Sequence, residues 1–157
     1  MKKYIPILIL MLAIFISSSQ IYEQQTIIPT LQNYLPNEPL KPLLSLLHFH
    51  YYGMEISVES RGYYYFLEFL FRKLAHFCTF GAVGLAVYFA LPRLKHRVII
   101  SAVITFIFAS ADEIHQYFTS GRTASFQDVL LDTTGAITFL IIFICINLLI
   151  KRKSTKD

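Results

Sequence analysis

The sequence predicts an all-α integral membrane protein: a bundle of four transmembrane helices, both termini cytoplasmic, with an extracytoplasmic segment between helices one and two. Three observations predict it. The 157-residue chain is 55% hydrophobic and 15% charged, with a mean hydropathy of +0.52, whereas a soluble domain averages about 25% charge. Four apolar segments recur, at residues 4–19, 74–91, 98–118 and 129–150, and about 20 helical residues cross a bilayer. Nine of the 14 basic residues (Lys2, Lys3, Arg93, Lys95, Arg97, Lys151, Arg152, Lys153 and Lys156) flank those segments, with Asp157 their only acidic neighbour. By the positive-inside rule the N-terminus, the 93–97 loop and the 151–157 tail are cytoplasmic, and four spans satisfy all three. The size fits one domain over residues 1–157.

The same numbers exclude disorder and an ordinary soluble globule. A pI near 9.1 is compatible with nucleic acid, but no groove-reading motif is present and the basic residues border apolar runs, so nucleic acid is not an expected partner. Membrane lipids are. Cys78 and Cys145 lie in apolar runs and read as small buried hydrophobes.

Segment 4–19 follows Lys2 and Lys3. A cleaved signal peptide, with Ser17 to Ser19 at the cleavage site, is the second reading. The outer segment, about residues 20–71, is broken by Pro29, Pro36, Pro39 and Pro42. Pro42 to His48 has the pattern of a short amphipathic surface helix. His50 to Val58, Tyr-rich with Gly53, reads as extended, and from Gly62 the pattern becomes helical. Tyr63, Tyr64 and Tyr65 fit an interfacial aromatic belt. In the third span only residues 98–111 lack charge, about 21 Å of helix. Crossing therefore requires Asp112 and Glu113 to enter the membrane's outer part or its edge.

The polar residues gather at one end: Arg72, Lys73 and His76 open span two, Asp112, Glu113, His115 and Gln116 close span three, Arg122 lies in the loop, and Asp128 and Asp132 open span four. With Arg122 near the tip of the hairpin of spans three and four, Asp112 is level with Asp132 and Gln116 with Asp128. The deeper acids then lie about 10 Å below the loop. Buried charge at that depth is paired or lies in a wet cavity. Three cations against four acids leave a negative charge, a retained proton or room for a metal ion. Bland readings accompany these. Ser125-Phe-Gln-Asp128 has the form of a capping box, Lys73 is able to snorkel, and His76 alone is weak evidence.

These residues resemble a known family. Arg72-Lys73-Leu-Ala75-His76-Phe77 is similar to the opening of the second span in the VanZ-like family. Asp112-Glu113-Ile-His-Gln116-Tyr-Phe118, then Gly121-Arg122, Asp128-Val129 and Asp132-Thr133-Thr-Gly135, resemble its second block. Ser18-Ser19-Gln20 fits the same pattern and argues against cleavage. Tyr52-Gly53 with Glu55-Ile56-Ser57 resembles a subgroup of the family found in Gram-positive bacteria. Ser120 departs from the family, where Pro often precedes the Gly-Arg pair. The resemblance implies a small multi-span protein of the cell membrane and envelope. The family is named for a protein associated with low-level resistance to the antibiotic teicoplanin, and it implies no defined reaction.

Three functions follow as expectations. In the first, Arg72, Lys73, His76, Asp112, Glu113, Gln116, Arg122, Asp128 and Asp132 form an extracytoplasmic site for an envelope lipid, a lipid-linked wall precursor or a glycopeptide-type amphiphile. The cations would hold a phosphate or carboxylate there. In the second, the chain is a membrane enzyme on such a substrate, with Glu113 as base, His76 as acid, Asp132 as a further catalytic candidate and Arg122 as phosphate clamp. The third is a small transporter, against which stand the apolar inner halves of the spans. No cofactor is implied. A divalent ion between Asp112 and Asp132 lacks a supporting ligand spacing such as His-Glu-x-x-His.

Overall fold

A computed structural model describes residues 2–120 and 125–154. A single 3-10 turn leads into α1 (Ile5–Ser18), which starts with Pro6 in its first turn, where the missing N–H costs nothing. The intervening segment holds short helices α2 (Tyr22–Gln25), α3 (Ile28–Tyr34) and α4 (Lys41–Leu44), and Pro29 and Pro42 each open their helix. An antiparallel hairpin follows, β1 (Phe49–Tyr51) and β2 (Met54–Ile56), with Tyr51 opposite Met54. Its two turn residues, Tyr52 and Gly53, have φ of +57° and +71°, as the tightest hairpin turn requires. Glycine meets this demand freely, whereas tyrosine does so only under strain. α5 (Val58–Arg61) is opened by a Ser57–Ser60 capping box. Then come α6 (Tyr63–Ala90), α7 (Arg97–Ser120) and α8 (Phe126–Ser154).

α6, α7 and α8 are long and apolar enough to cross a membrane. α1, with 14 residues, reaches about 21 Å and is shorter than a full span. α6 starts at Tyr63, just after the Gly62 from which the pattern reads as helical, and runs without a break into the apolar stretch at 74–91. The purely helical expectation is modified by the hairpin, which falls within the stretch expected to be extended.

Short loops place α7 antiparallel to both neighbours, so α6 and α8 run parallel. Contacts keep that register from Lys73 with Asp128 to Tyr88 with Phe143. α6 and α8 approach each other closely. A Cβ on Gly135 would stand 2.2 Å from the Phe77 carbonyl oxygen, and one on Gly84 would stand 2.8 Å from the Ala136 Cβ. Small residues let two helix backbones approach where lipid supplies no hydrophobic drive. Ile14, Phe80, Val83, Val87, Ala109 and Val129 form the core where α1 meets the three long helices. A second core, Ile56, Val58, Tyr63 and Phe66, fastens the hairpin and α5 to the start of α6.

The rest of the apolar surface points outward: Leu8, Ile9, Leu12, Phe15 and Ile16 of α1 are all more than half exposed. Cys78 and Cys145 are exposed as well, which corrects the expectation of buried cysteines. Their apolar neighbourhood in the sequence reflects an outward face, not a packed interior.

Candidate functional site

The site is built where α6, α7 and α8 meet the hairpin. A cavity of about 470 Å³ opens there. Arg72, Lys73, His76, Glu113, Gln116 and Asp128, all singled out from sequence, line it together with Tyr52, Arg61 and the aromatic side chains of Tyr65, Phe66 and Phe69. Asp112 and Asp132 are buried but do not reach its wall. Arg122, expected to clamp a phosphate, lies outside the described residues.

Lys73 and Asp128 form a salt bridge between α6 and α8, with side chains 16% and 14% exposed. The hairpin turn closes on this pair. The Tyr51 hydroxyl donates to Asp128 Oδ1 at 2.7 Å, the Tyr52 hydroxyl donates to Asp128 Oδ2, and Gln127 Oε1 accepts the Tyr52 amide at 2.8 Å. The Lys73 ammonium donates to the Tyr52 hydroxyl at 3.0 Å and lies about 5 Å from the ring centroids of Tyr51, Tyr52 and Phe69. Ring faces attract a desolvated cation, so Lys73 is caged and does not snorkel. Burial first, and then the hydrogen bonds to Asp128, hold both tyrosine hydroxyls well above their ordinary value, so they stay protonated donors. These contacts also hold Tyr52 in its left-handed conformation.

Asp128 has no part in a capping box. The Ser125 hydroxyl accepts the Gln127 amide at 3.1 Å, but the Ser125 amide is taken at 2.6 Å by Glu113 Oε1 from α7. A carboxylate there suits the positive end of α8. Glu113, the expected base, thus fastens α7 to the head of α8.

The remaining acids face different helices. Asp112 accepts from Ser18 of α1 and, at 2.8 Å, from Gln116 one turn along α7. Asp132 Oδ2 stands 3.5 Å from His76 Nδ1, and Asp132 Oδ1 is buried with no partner. Asp112 and Asp132, expected level with each other, are therefore engaged separately. Among the described residues no three His, Cys, Asp or Glu side chains are grouped to hold a metal ion.

Two features escaped the sequence reading. Glu68, 2% exposed, accepts from Arg72 at 2.7 Å and from Thr26 at 2.8 Å, and Arg72 also donates to Gln25, whose amide reaches the Ser17 carbonyl. The Glu–Arg spacing of four was a usable signal. The hairpin's hold on Asp128 spans 77 residues of sequence and carried no local signal.

The long helices and this polar end reproduce the arrangement of the motifs, and the chain matches the VanZ/LLP1 family over residues 4–149. It belongs to that family. No curated protein and no solved structure matches the chain. It is a VanZ-like membrane protein, and in it Arg72, Lys73 and His76 of the first motif block face Glu113, Gln116 and Asp128 of the second across one cavity.

Proposed function

We propose that this VanZ-like protein binds the polar head of an envelope amphiphile, a membrane lipid or lipid-linked wall precursor, in the cavity at the head of its helices. One observation carries the reading: a 470 Å³ cavity with charged and aromatic walls sits directly above an apolar stretch of bilayer dimensions. Residues 133–150 of α8 carry no charge and span about 27 Å, close to the ~30 Å of a hydrocarbon core. Lys73, Glu113 and Asp128 are therefore at head-group level. Arg61 and Arg72 supply guanidinium groups suited to phosphate or carboxylate.

In this reading the basic 93–97 loop and the tail are cytoplasmic, the cavity is extracytoplasmic, and α1 is a fourth membrane-embedded helix, its apolar face turned to lipid. A teicoplanin-class glycopeptide is the alternative amphiphile that the family implies.

The test is lipid retention. Purified protein is expected to retain anionic phospholipid, measured by mass spectrometry. Arg61→Gln should lower occupancy severalfold with an unchanged Tm, since Arg61 is exposed and its guanidinium meets the Met54 sulfur at 3.1 Å. Arg122→Ala examines the residue that the sequence favoured. Full occupancy in an Arg61→Gln, Arg72→Gln double variant would overturn the proposal. In cells, a deletion strain complemented with Arg61→Gln reads any change in teicoplanin susceptibility.

The His76–Asp132 pair favours a second reading, an enzyme acting on the bound head group. His76 lines the cavity while the buried carboxylate behind it orients the ring, the arrangement of a base and its positioning group. It predicts turnover of a lipid-linked substrate that His76→Ala and Asp132→Asn abolish while the lipid stays bound.

A further inference from the structure

A second, smaller cavity of about 160 Å³ lies between α1 and α6. Its walls are Ala13, Ile14, Ser17 and Ser18 on one side, and Ala75, His76, Thr79 and Phe80 on the other. Among the described residues, His76 is the one side chain that lines both this slot and the polar cavity. Its ring lies nearly parallel to that of Phe80 one turn further on, with centroids 6.3 Å apart.

The slot has three properties of a chain seat. Ala13, Ser17 and Ala75 are exposed, so it is open to the surroundings of the bundle. Ala13 and Ala75 are small, so the groove between the two helices is not filled by side chains of their own. Its depth is also right. His76 is paired with Asp132, at the edge of the charge-free stretch of α8, and Thr79 and Phe80 lie about one turn further toward the apolar middle. Meanwhile α1 is tied at its site end, by Ser18 to Asp112 of α7 and through Gln25, which donates to the Ser17 carbonyl and accepts from Arg72 of α6. The two helices are thus held together above the slot while the slot itself stays open sideways.

Resting on the reading of the polar cavity as a head-group site, we infer that the α1–α6 slot seats the first methylenes of one hydrocarbon chain of the same amphiphile, with His76 at the junction of head and chain. The lipid then reaches the site sideways from the bilayer, between α1 and α6, and its hydrocarbon never crosses the charged wall of the cavity.

The experiment uses the full chain in phosphatidylglycerol vesicles containing a phosphatidylglycerol analogue with a diazirine on an early carbon of one acyl chain. Photolysis is expected to label residues 13–18 and 75–80. Labelling confined to the outward faces of α7 and α8 overturns the inference. Ala75→Leu, or Ala13→Leu from the opposite wall, should lower retention of long-chain phosphatidylglycerol about tenfold, the scale of a few methylenes returned to competing surroundings. Either variant should bind water-soluble glycerophosphoglycerol as the wild type does. Undiminished long-chain retention in both variants overturns the chain seat and leaves the head-group reading standing. A wild type that binds neither the lipid nor the soluble head group overturns both.

Discussion

The two ends of the helical bundle carry charge in opposite ways. At the basic end, Arg93, Lys95, Arg152 and Lys153 are exposed, and Arg97 lies over the Tyr88 ring, 4.0 Å from its centroid. At the site end, Glu68, Asp112, Glu113 and Asp132 are buried, and Lys73 and Asp128 are nearly so. Exposed charge beside an apolar run sets orientation and contributes little to packing. Buried charge persists only with partners. Each acid at the site end takes its partner from another helix, from the hairpin or from a neighbouring turn. The charges there act as joints as well as ligand groups.

The contrast is broken most severely by removing one member of a buried pair. Lys73→Ala leaves Asp128 inside with only the two tyrosines, and the expected loss is about 3 kcal/mol, read by thermal unfolding in detergent. A Lys73→Met, Asp128→Asn double variant should recover part of it. If Lys73→Ala is instead as stable as wild type, the site end is no more than a solvated rim. Next comes Gly135→Ala, with an expected loss of about 2 kcal/mol from pushing a methyl group into the Phe77 carbonyl. Its mark is a loosened α6–α8 seam, seen as faster disulfide trapping between cysteines placed along it.

The tyrosines provide a milder test. Both hydroxyls are held above their ordinary value, so the stability they lend the hairpin is complete below about pH 10. It fades as pH climbs beyond that, toward their raised folded values. Ultraviolet tyrosinate absorbance should show two late-titrating groups, absent in a Tyr51→Phe, Tyr52→Phe variant. Smallest is the basic end: Arg152→Ser with Lys153→Ser should change stability by less than about 0.5 kcal/mol, while increasing the fraction inserted in the reverse orientation in a protease-protection assay.

What was legible in the sequence follows the same division. Hydropathy marked α6, α7 and α8 because an apolar run is a local property. The segment at 4–19 was marked too, although its helix stops at Ser18 and is only 14 residues long. The gathering of Arg72, Lys73, His76, Glu113, Gln116 and Asp128 at one cavity was also legible, because helix period and hairpin connectivity fix which ends come together. Partners were not. Asp112 meets Ser18, 94 residues away. Asp128 was weighed as a cap, and Glu113 from another helix occupies the Ser125 amide. Such choices depend on the rotation of each helix about its axis, which a few degrees of packing decide and no local pattern records. Tyr52 had a signal in retrospect: a Tyr-Gly turn forces a bulky residue into the left-handed region, and strain of that kind usually has a tertiary contact to hold it.

The parallel pairing of α6 with α8 also sets an order of assembly. The chain emerges from the ribosome N-terminus first, so Lys73 and His76 are delivered before their acids exist. Asp128 follows Lys73 by 55 residues, with the whole of α7 in between. During that interval Lys73 and His76 lack the carboxylates they meet in the finished bundle. Insertion of α8 therefore completes the site and supplies the partners of both α6 side chains.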